Sequence, residues 1–118
     1  MESTDHESDI PALHQALIDQ LKKNGHIQNA RIEAAFRAVP RHLFLPTVAL
    51  DEVYRDQAIA TRSINNQVVS SSSQPTIMAI MLEQLQLQPG HRVLEIGSGT
   101  GYNAALMAHI VGETGEVV

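Results

Sequence analysis

The 118-residue sequence predicts an α/β fold in which a parallel sheet begins, preceded by a small helical segment. Three observations carry this expectation. Apolar residues recur at spacings of three and four from Ile10 to Val39 and again from Ile77 to Leu85, the period of helices with one buried side. A short apolar strand, Arg92–Ile96, runs straight into a loop with glycine at positions 97, 99 and 101. A further helical stretch and the start of another apolar strand follow. The order helix, strand, glycine loop, helix, strand opens a parallel α/β sheet.

The elements follow in turn. Residues 1–9 hold Glu2, Asp5, Glu7 and Asp9 and nothing apolar beyond Met1, so they are expected to form a mobile acidic tail. Ile10, Leu13, Leu17 and Leu21 define the first helix, which Asn24-Gly25 ends. Asn29 can cap a second helix carrying Ile32, Ala35, Phe36 and Val39, and Pro40 terminates it. The polar run from Arg62 to Gln74 includes four consecutive serines, Ser70–Ser73. These read either as a flexible linker or as a hydroxyl-rich loop feeding the N-terminus of the next helix, where an anion is well received. That helix is expected over 75–87, with Pro75 near its first position and Ile77, Met78, Met81, Leu82 and Leu85 on its buried face. Pro89-Gly90 makes a turn, 92–96 a strand, about 102–111 a helix stopped by Gly112, and Val117-Val118 the start of a second strand. The expected division is a tail over 1–9, a helical and substrate-loop segment over 10–74, and the start of a ligand-binding α/β domain over 75–118.

Composition narrows the function classes. Apolar content is an ordinary 43%, and no apolar run approaches the ~18 residues needed to span a bilayer. With no cysteine, disulfides, thiolate metal sites and a cysteine nucleophile are excluded, which fits a reducing cytoplasm. Beyond the tail, nine acids face eight bases without a basic cluster, and aromatics make up 3%, so nucleic acid is not expected as a partner. The six histidines show no metal-ligand spacing, and no metal is expected.

The segment Val93–Tyr102, Val-Leu-Glu-Ile-Gly-Ser-Gly-Thr-Gly-Tyr, carries the most chemistry. Glycine there permits positive φ and close approach of a ligand to the backbone, while the following helix points its N-terminus at whatever binds. A bland strand-to-helix turn would also use glycine. A dinucleotide fingerprint, GxGxxG or GxGxxA, fails from Gly97 because Tyr102 takes the third place. From Gly99 it passes through Ala104, but two residues away from the strand end. Read as GxGxG after an acid, Glu95, the loop suits S-adenosylmethionine, whose sulfonium and amino-acid moiety replace a pyrophosphate. This reading is favoured, with Glu95, Gly97, Ser98, Gly99, Thr100 and Gly101 as cofactor-binding candidates.

Taken together, Val39–Pro46 (Val-Pro-Arg-His-Leu-Phe-Leu-Pro), Tyr54-Arg55-Asp56, Ser73-Gln74-Pro75 and the Leu94–Tyr102 loop resemble the protein-L-isoaspartate O-methyltransferases, in their order and over roughly Ile10–Val118. The resemblance implies the N-terminal portion of a Rossmann-like methyltransferase fold and methyl transfer from S-adenosylmethionine to the free carboxylate of isoaspartyl residues in proteins or peptides. It implies Ser73 as the active-site hydroxyl beside that carboxylate. Where the family usually has Gly-Gln-Thr-Ile before this serine, the sequence has Val69-Ser70-Ser71-Ser72, which leaves a tailoring methyltransferase on a peptide aspartate as an alternative. His42 and Asp56 are expected to have local hydrogen-bonding or capping roles before catalytic ones.

An acid that holds ribose hydroxyls normally stands about 20 positions past the glycine loop, just beyond Val118. The chain is therefore expected to be truncated, inactive by itself, and to leave 92–96 without a parallel neighbour. A non-enzymatic module that docks on another chain is the remaining alternative.

Overall fold

The computed structural model describes residues 9–118. The expected tail lies outside them except for Asp9, whose carbonyl accepts from Leu13 N at 2.9 Å to start the first helix.

Helix α1 (Ile10–Lys23) buries Leu17, Ile18 and Leu21 and ends where Gly25 takes φ +79°. Helix α2 (Ala30–Ala38) is capped by Asn29, whose side chain accepts from Arg31 N at 2.7 Å, and buries Ile32, Ala35 and Phe36. Pro40 then stops the helix. Its successor residues form a 3-10 turn, Arg41–Phe44, followed by the single-turn helix α3 (Leu50–Val53).

The segment read as loop or linker is a β-hairpin. Strands β1 (Ile59–Ile64) and β2 (Gln67–Ser72) pair antiparallel, Ile59 opposite Ser72 and Ile64 opposite Gln67, with an irregularity around Arg62. Asn65 and Asn66 make the two-residue turn at φ +52° and +65°, the left-handed geometry that a tight hairpin connection requires. Both strands are largely exposed, so no alternation of apolar and polar residues announced them.

Helix α4 runs Pro75–Leu85, two residues shorter than expected, because Gln86 adopts a left-handed φ of +55°. Its buried residues are Pro75, Met78, Ala79 and Leu82. Ile77, Met81 and Leu85, expected in the core, are instead 45–51% exposed. The helix is apolar over more than one face, and only one stripe meets the core.

Strand β3 is Arg92–Val93, α5 is Tyr102–Val111 and β4 is Glu116–Val117. Two expectations are corrected here. The strand expected over 92–96 is regular over Arg92–Val93 only. It does not lack a parallel neighbour: Arg92 faces Glu116 and Val93 faces Val117. Bonds from Val118 N to Val93 O (2.9 Å) and from Glu95 N to Val118 O (3.0 Å) extend this ladder.

One apolar core joins α1, α2, α4 and α5. Two carboxylates lock it across long sequence distances. Glu83 on α4 accepts from Gln28 N (2.7 Å) and Asn29 N (2.9 Å) at the entry to α2. Asp56, ahead of the hairpin, accepts from the backbone N of Thr76 at 2.8 Å and from its hydroxyl at the start of α4.

Candidate functional site

A cleft of about 430 Å³ opens between the end of the hairpin and the glycine loop. One wall is Ser71–Ser73, the opposite wall Leu94–Thr100, and Met78 and Met107 lie between them. The hairpin thus delivers the serines to the cleft while β3 delivers the loop.

In the glycine loop, Gly97 and Gly99 have φ of +76° and +56°, which β-branched side chains avoid. A Cβ added at either would meet no protein atom within 4 Å, so the bare backbone borders open space. Gly101 differs: it is not a lining residue but turns the chain into α5 at φ +91°, beside the Phe44 ring. Ser98 and Thr100 line the cleft, and the Ser98 carbonyl accepts from Gly101 N at 3.0 Å.

Glu95 is half-buried in the same wall. Its Oε2 accepts from Asn103 Nδ2 at 3.0 Å, whereas Glu95 Oε1 and Asn103 Oδ1 are buried acceptors without a protein partner. Two orphaned acceptors on cleft-lining residues, a carboxyl oxygen and an amide oxygen, fit a cationic donor such as the ammonium of an amino-acid moiety. The open glycine backbone fits an adenosine-bearing ligand at close approach. The residues present therefore suit S-adenosylmethionine. Asn103 was missed by sequence reasoning; its place in the first turn of α5, eight residues after Glu95, is the only signal that could have found it.

Ser73 is exposed on the cleft wall, and its carbonyl accepts from Arg41 Nη2 at 3.1 Å. Arg41 is the second missed residue. It is fully buried, although arginine ordinarily lies at the surface. Burial lowers its pKa, opposed by Tyr102 and Asp56, and a guanidinium remains charged all the same.

His42 and Asp56 have the local roles expected of them. His42 Nδ1 lies 2.7 Å from the Tyr54 hydroxyl, and Asp56 caps α4. The serine run does not present the α4 N-terminus to an external anion, because Asp56 fills that position. Among the described residues no group of three or more histidines or carboxylates could hold a metal ion, and no helix is long and apolar enough to cross a membrane.

Comparison with known proteins places the chain among relatives of one kind. A family profile described as Protein-L-isoaspartate(D-aspartate) O-methyltransferase matches residues 12–118. A Thermotoga maritima protein-L-isoaspartate O-methyltransferase is 46% identical over 99 residues, covering 83% of this chain and 30% of its own. The Methanopyrus kandleri protein of the same name is 39% identical over 102 residues, covering 86% and 43%. A solved protein-L-isoaspartate O-methyltransferase structure superposes with a TM-score of 0.76 at 43% identity, over 88% of this chain and 32% of that one. A Plasmodium falciparum crystal structure described as such a methyltransferase in complex with S-adenosyl-L-homocysteine gives a TM-score of 0.71 at 25% identity, covering 88% and 46%. The chain spans less than half the length of these relatives. By the matched profile and the shared fold, it belongs to the protein-L-isoaspartate O-methyltransferase family.

Proposed function

We propose that this chain supplies the N-terminal part of an enzyme that transfers a methyl group from S-adenosylmethionine to the free carboxylate of an isoaspartyl residue in a cytoplasmic protein or peptide, as in protein repair. Residues 10–74 form its helical and substrate-loop segment and 75–118 the beginning of its cofactor-binding part. The observation that carries this reading is the single cleft with Ser71–Ser73 on one wall and the Glu95–Thr100 loop on the other.

When bound, S-adenosylmethionine supplies an electrophilic methyl group on a sulfonium. Glu95 and Asn103 offer the acceptors for its ammonium, and Gly97 and Gly99 leave room against the backbone. Ser73 donates its hydroxyl to the substrate carboxylate. An isoaspartyl carboxylate is already ionised at neutral pH, since carboxyl pKa values lie near ~4, so no general base is required. The task of these residues is alignment of oxygen, methyl and sulfur, an effect worth up to roughly 7–11 kcal/mol.

The experiment is methyl transfer by the protein encoded in the full reading frame containing these residues, on an isoaspartyl peptide and its aspartyl counterpart. Activity on the isoaspartyl peptide alone is expected. Equal rates on both would favour tailoring of a peptide aspartate, which the replacement of Gly-Gln-Thr-Ile by Val69–Ser72 keeps as the second reading. Ser73→Ala should lower activity at least tenfold and leave S-adenosylmethionine affinity within about twofold, because the hydroxyl faces substrate.

A further inference from the structure

We infer that Arg41 is a positioning residue for Ser73, fixing the backbone from which the serine hydroxyl is presented to the cleft. This rests on the reading of Ser73 as the hydroxyl that meets the substrate carboxylate. Nη1 of Arg41 donates to the carbonyls of Val53 (3.0 Å) and Arg55 (3.3 Å). Nη2 donates to the carbonyls of Gln57 (3.3 Å) and Ser73 (3.1 Å) and reaches the Ser72 hydroxyl at 3.5 Å. The guanidinium carbon also lies 5.8 Å from the centre of the Tyr102 ring, the residue that follows the last loop glycine. One buried fork therefore binds the end of the serine wall and faces the ring of Tyr102 at the start of α5.

The partners of this fork are carbonyls, a hydroxyl and an aromatic ring, with no carboxylate in hydrogen-bond contact. An apolar side chain in its place would leave these carbonyls without that donor, so the fork holds a specific backbone arrangement and not merely a packed volume. The Ser73 carbonyl belongs to the peptide unit that ends the hairpin and starts α4. Asp56 clamps the same junction from the other side, through Thr76 and through Gln74 Nε2, which donates to the Asp56 carbonyl at 3.2 Å. With its peptide unit fixed on one side and the helix start fixed on the other, Ser73 has a defined backbone from which to present its hydroxyl. Methyl transfer depends on such definition, since misplacement by about 1 Å can cost on the order of 100-fold. Lysine keeps the charge but has no planar fork to span Val53 and Ser73 together.

The test uses the full-reading-frame protein with Arg41→Lys, Ser73→Ala and the double substitution. Cooperative melting, calorimetric affinity for S-adenosylmethionine, and kcat/KM on an isoaspartyl peptide are measured for each. Arg41→Lys is expected to melt cooperatively, bind S-adenosylmethionine within about threefold of wild type, and lose on the order of 100-fold in kcat/KM. The double variant should fall no more than about threefold below the weaker single variant, because residues acting through one hydroxyl are not additive. Losses that multiply, or an equal loss of cofactor affinity, would overturn the inference. If Arg41→Lys does not melt cooperatively, the decision passes to the wild-type protein and the NMR signals of the Arg41 guanidinium. These should move on titration with the isoaspartyl peptide and stay in place with its aspartyl counterpart; no movement with the former overturns the inference. A wild-type protein inactive on the isoaspartyl peptide would instead remove the functional reading itself.

Discussion

Helices α2 and α4 contribute to one core, yet they treat their remaining surfaces differently. On α2, the side away from Ile32, Ala35 and Phe36 carries Glu33 and Arg37, 2.7 Å apart, and Glu33 also pairs with Lys22 on α1 at 3.2 Å. On α4, the side away from Met78 and Leu82 presents Ile77, Met81 and Leu85, and Leu94 and Ile96 beyond it are 69% and 89% exposed. A charged outer face completes a helix toward water, whereas an apolar one of this extent marks a surface that takes part in contacts. Stability should therefore concentrate around Phe36, and binding around the cleft beside α4.

The sharpest test of that contrast pairs two truncations. Phe36→Ala removes a ring that is 1% exposed and should destabilise the chain by about 3–5 kcal/mol. Ile96→Ala, at 89% exposure, should change stability by less than about 0.5 kcal/mol. Denaturant unfolding of the two variants measures both, and similar costs would erase the distinction.

Gly99→Val acts on the other region. Its left-handed backbone should cost at least about 1–2 kcal/mol with a side chain attached, and the Cβ enters open cleft space. S-adenosylmethionine affinity should fall at least about tenfold, read by calorimetry on the full-reading-frame protein; an unchanged affinity would remove the loop from the site.

Between the two regions, Asp56→Ala should cost about 1 kcal/mol by uncapping α4. Thermal melts give the value, and protection of the Thr76 amide against hydrogen exchange should fall with it.

The smallest effect belongs to the closed side. His14 Nε2 donates to the Phe36 carbonyl at 2.6 Å, and burial is the main force holding its pKa below 6.5. As pH falls, the unfolded chain therefore takes up this proton before the folded one does. The contribution of His14 is complete above pH 6.5 and is lost as pH drops through that value toward the folded pKa. Melting temperatures between pH 8 and pH 5 should decline less steeply for His14→Gln than for wild type.

The glycine loop, α5 and the two N-terminal helices were legible in the sequence because their signals are local: a cap at Asn29, stops at Pro40 and Gly112, three glycines after a strand. The hairpin was not, since Ile64, Val68 and Val69 are exposed and burial imposes no pattern on its strands. Only Asn65-Asn66 marked its turn. Arg41 stands within the Val39–Pro46 motif, but its burial was not legible, because its acceptors are carbonyls spread over Val53–Ser73, and backbone acceptors leave no trace in residue identity. Asn103 escaped for a related reason: its partner, Glu95, stands across the loop. The outward stripe of α4 was misjudged because periodicity tells which residues share a face and not whether anything packs on it.

The two carboxylate locks have a consequence for how the chain holds together. Glu83 reaches back 54 and 55 residues to Asn29 and Gln28, and Asp56 reaches forward 20 to Thr76. Each fastens a helix start with a side chain from the far side of the hairpin. The segments 10–64 and 67–118 are therefore fastened at two points that do not depend on the peptide bond at the hairpin tip. A protease that cuts between Asn65 and Asn66 should yield two pieces that elute together and melt as one unit, separating only in denaturant.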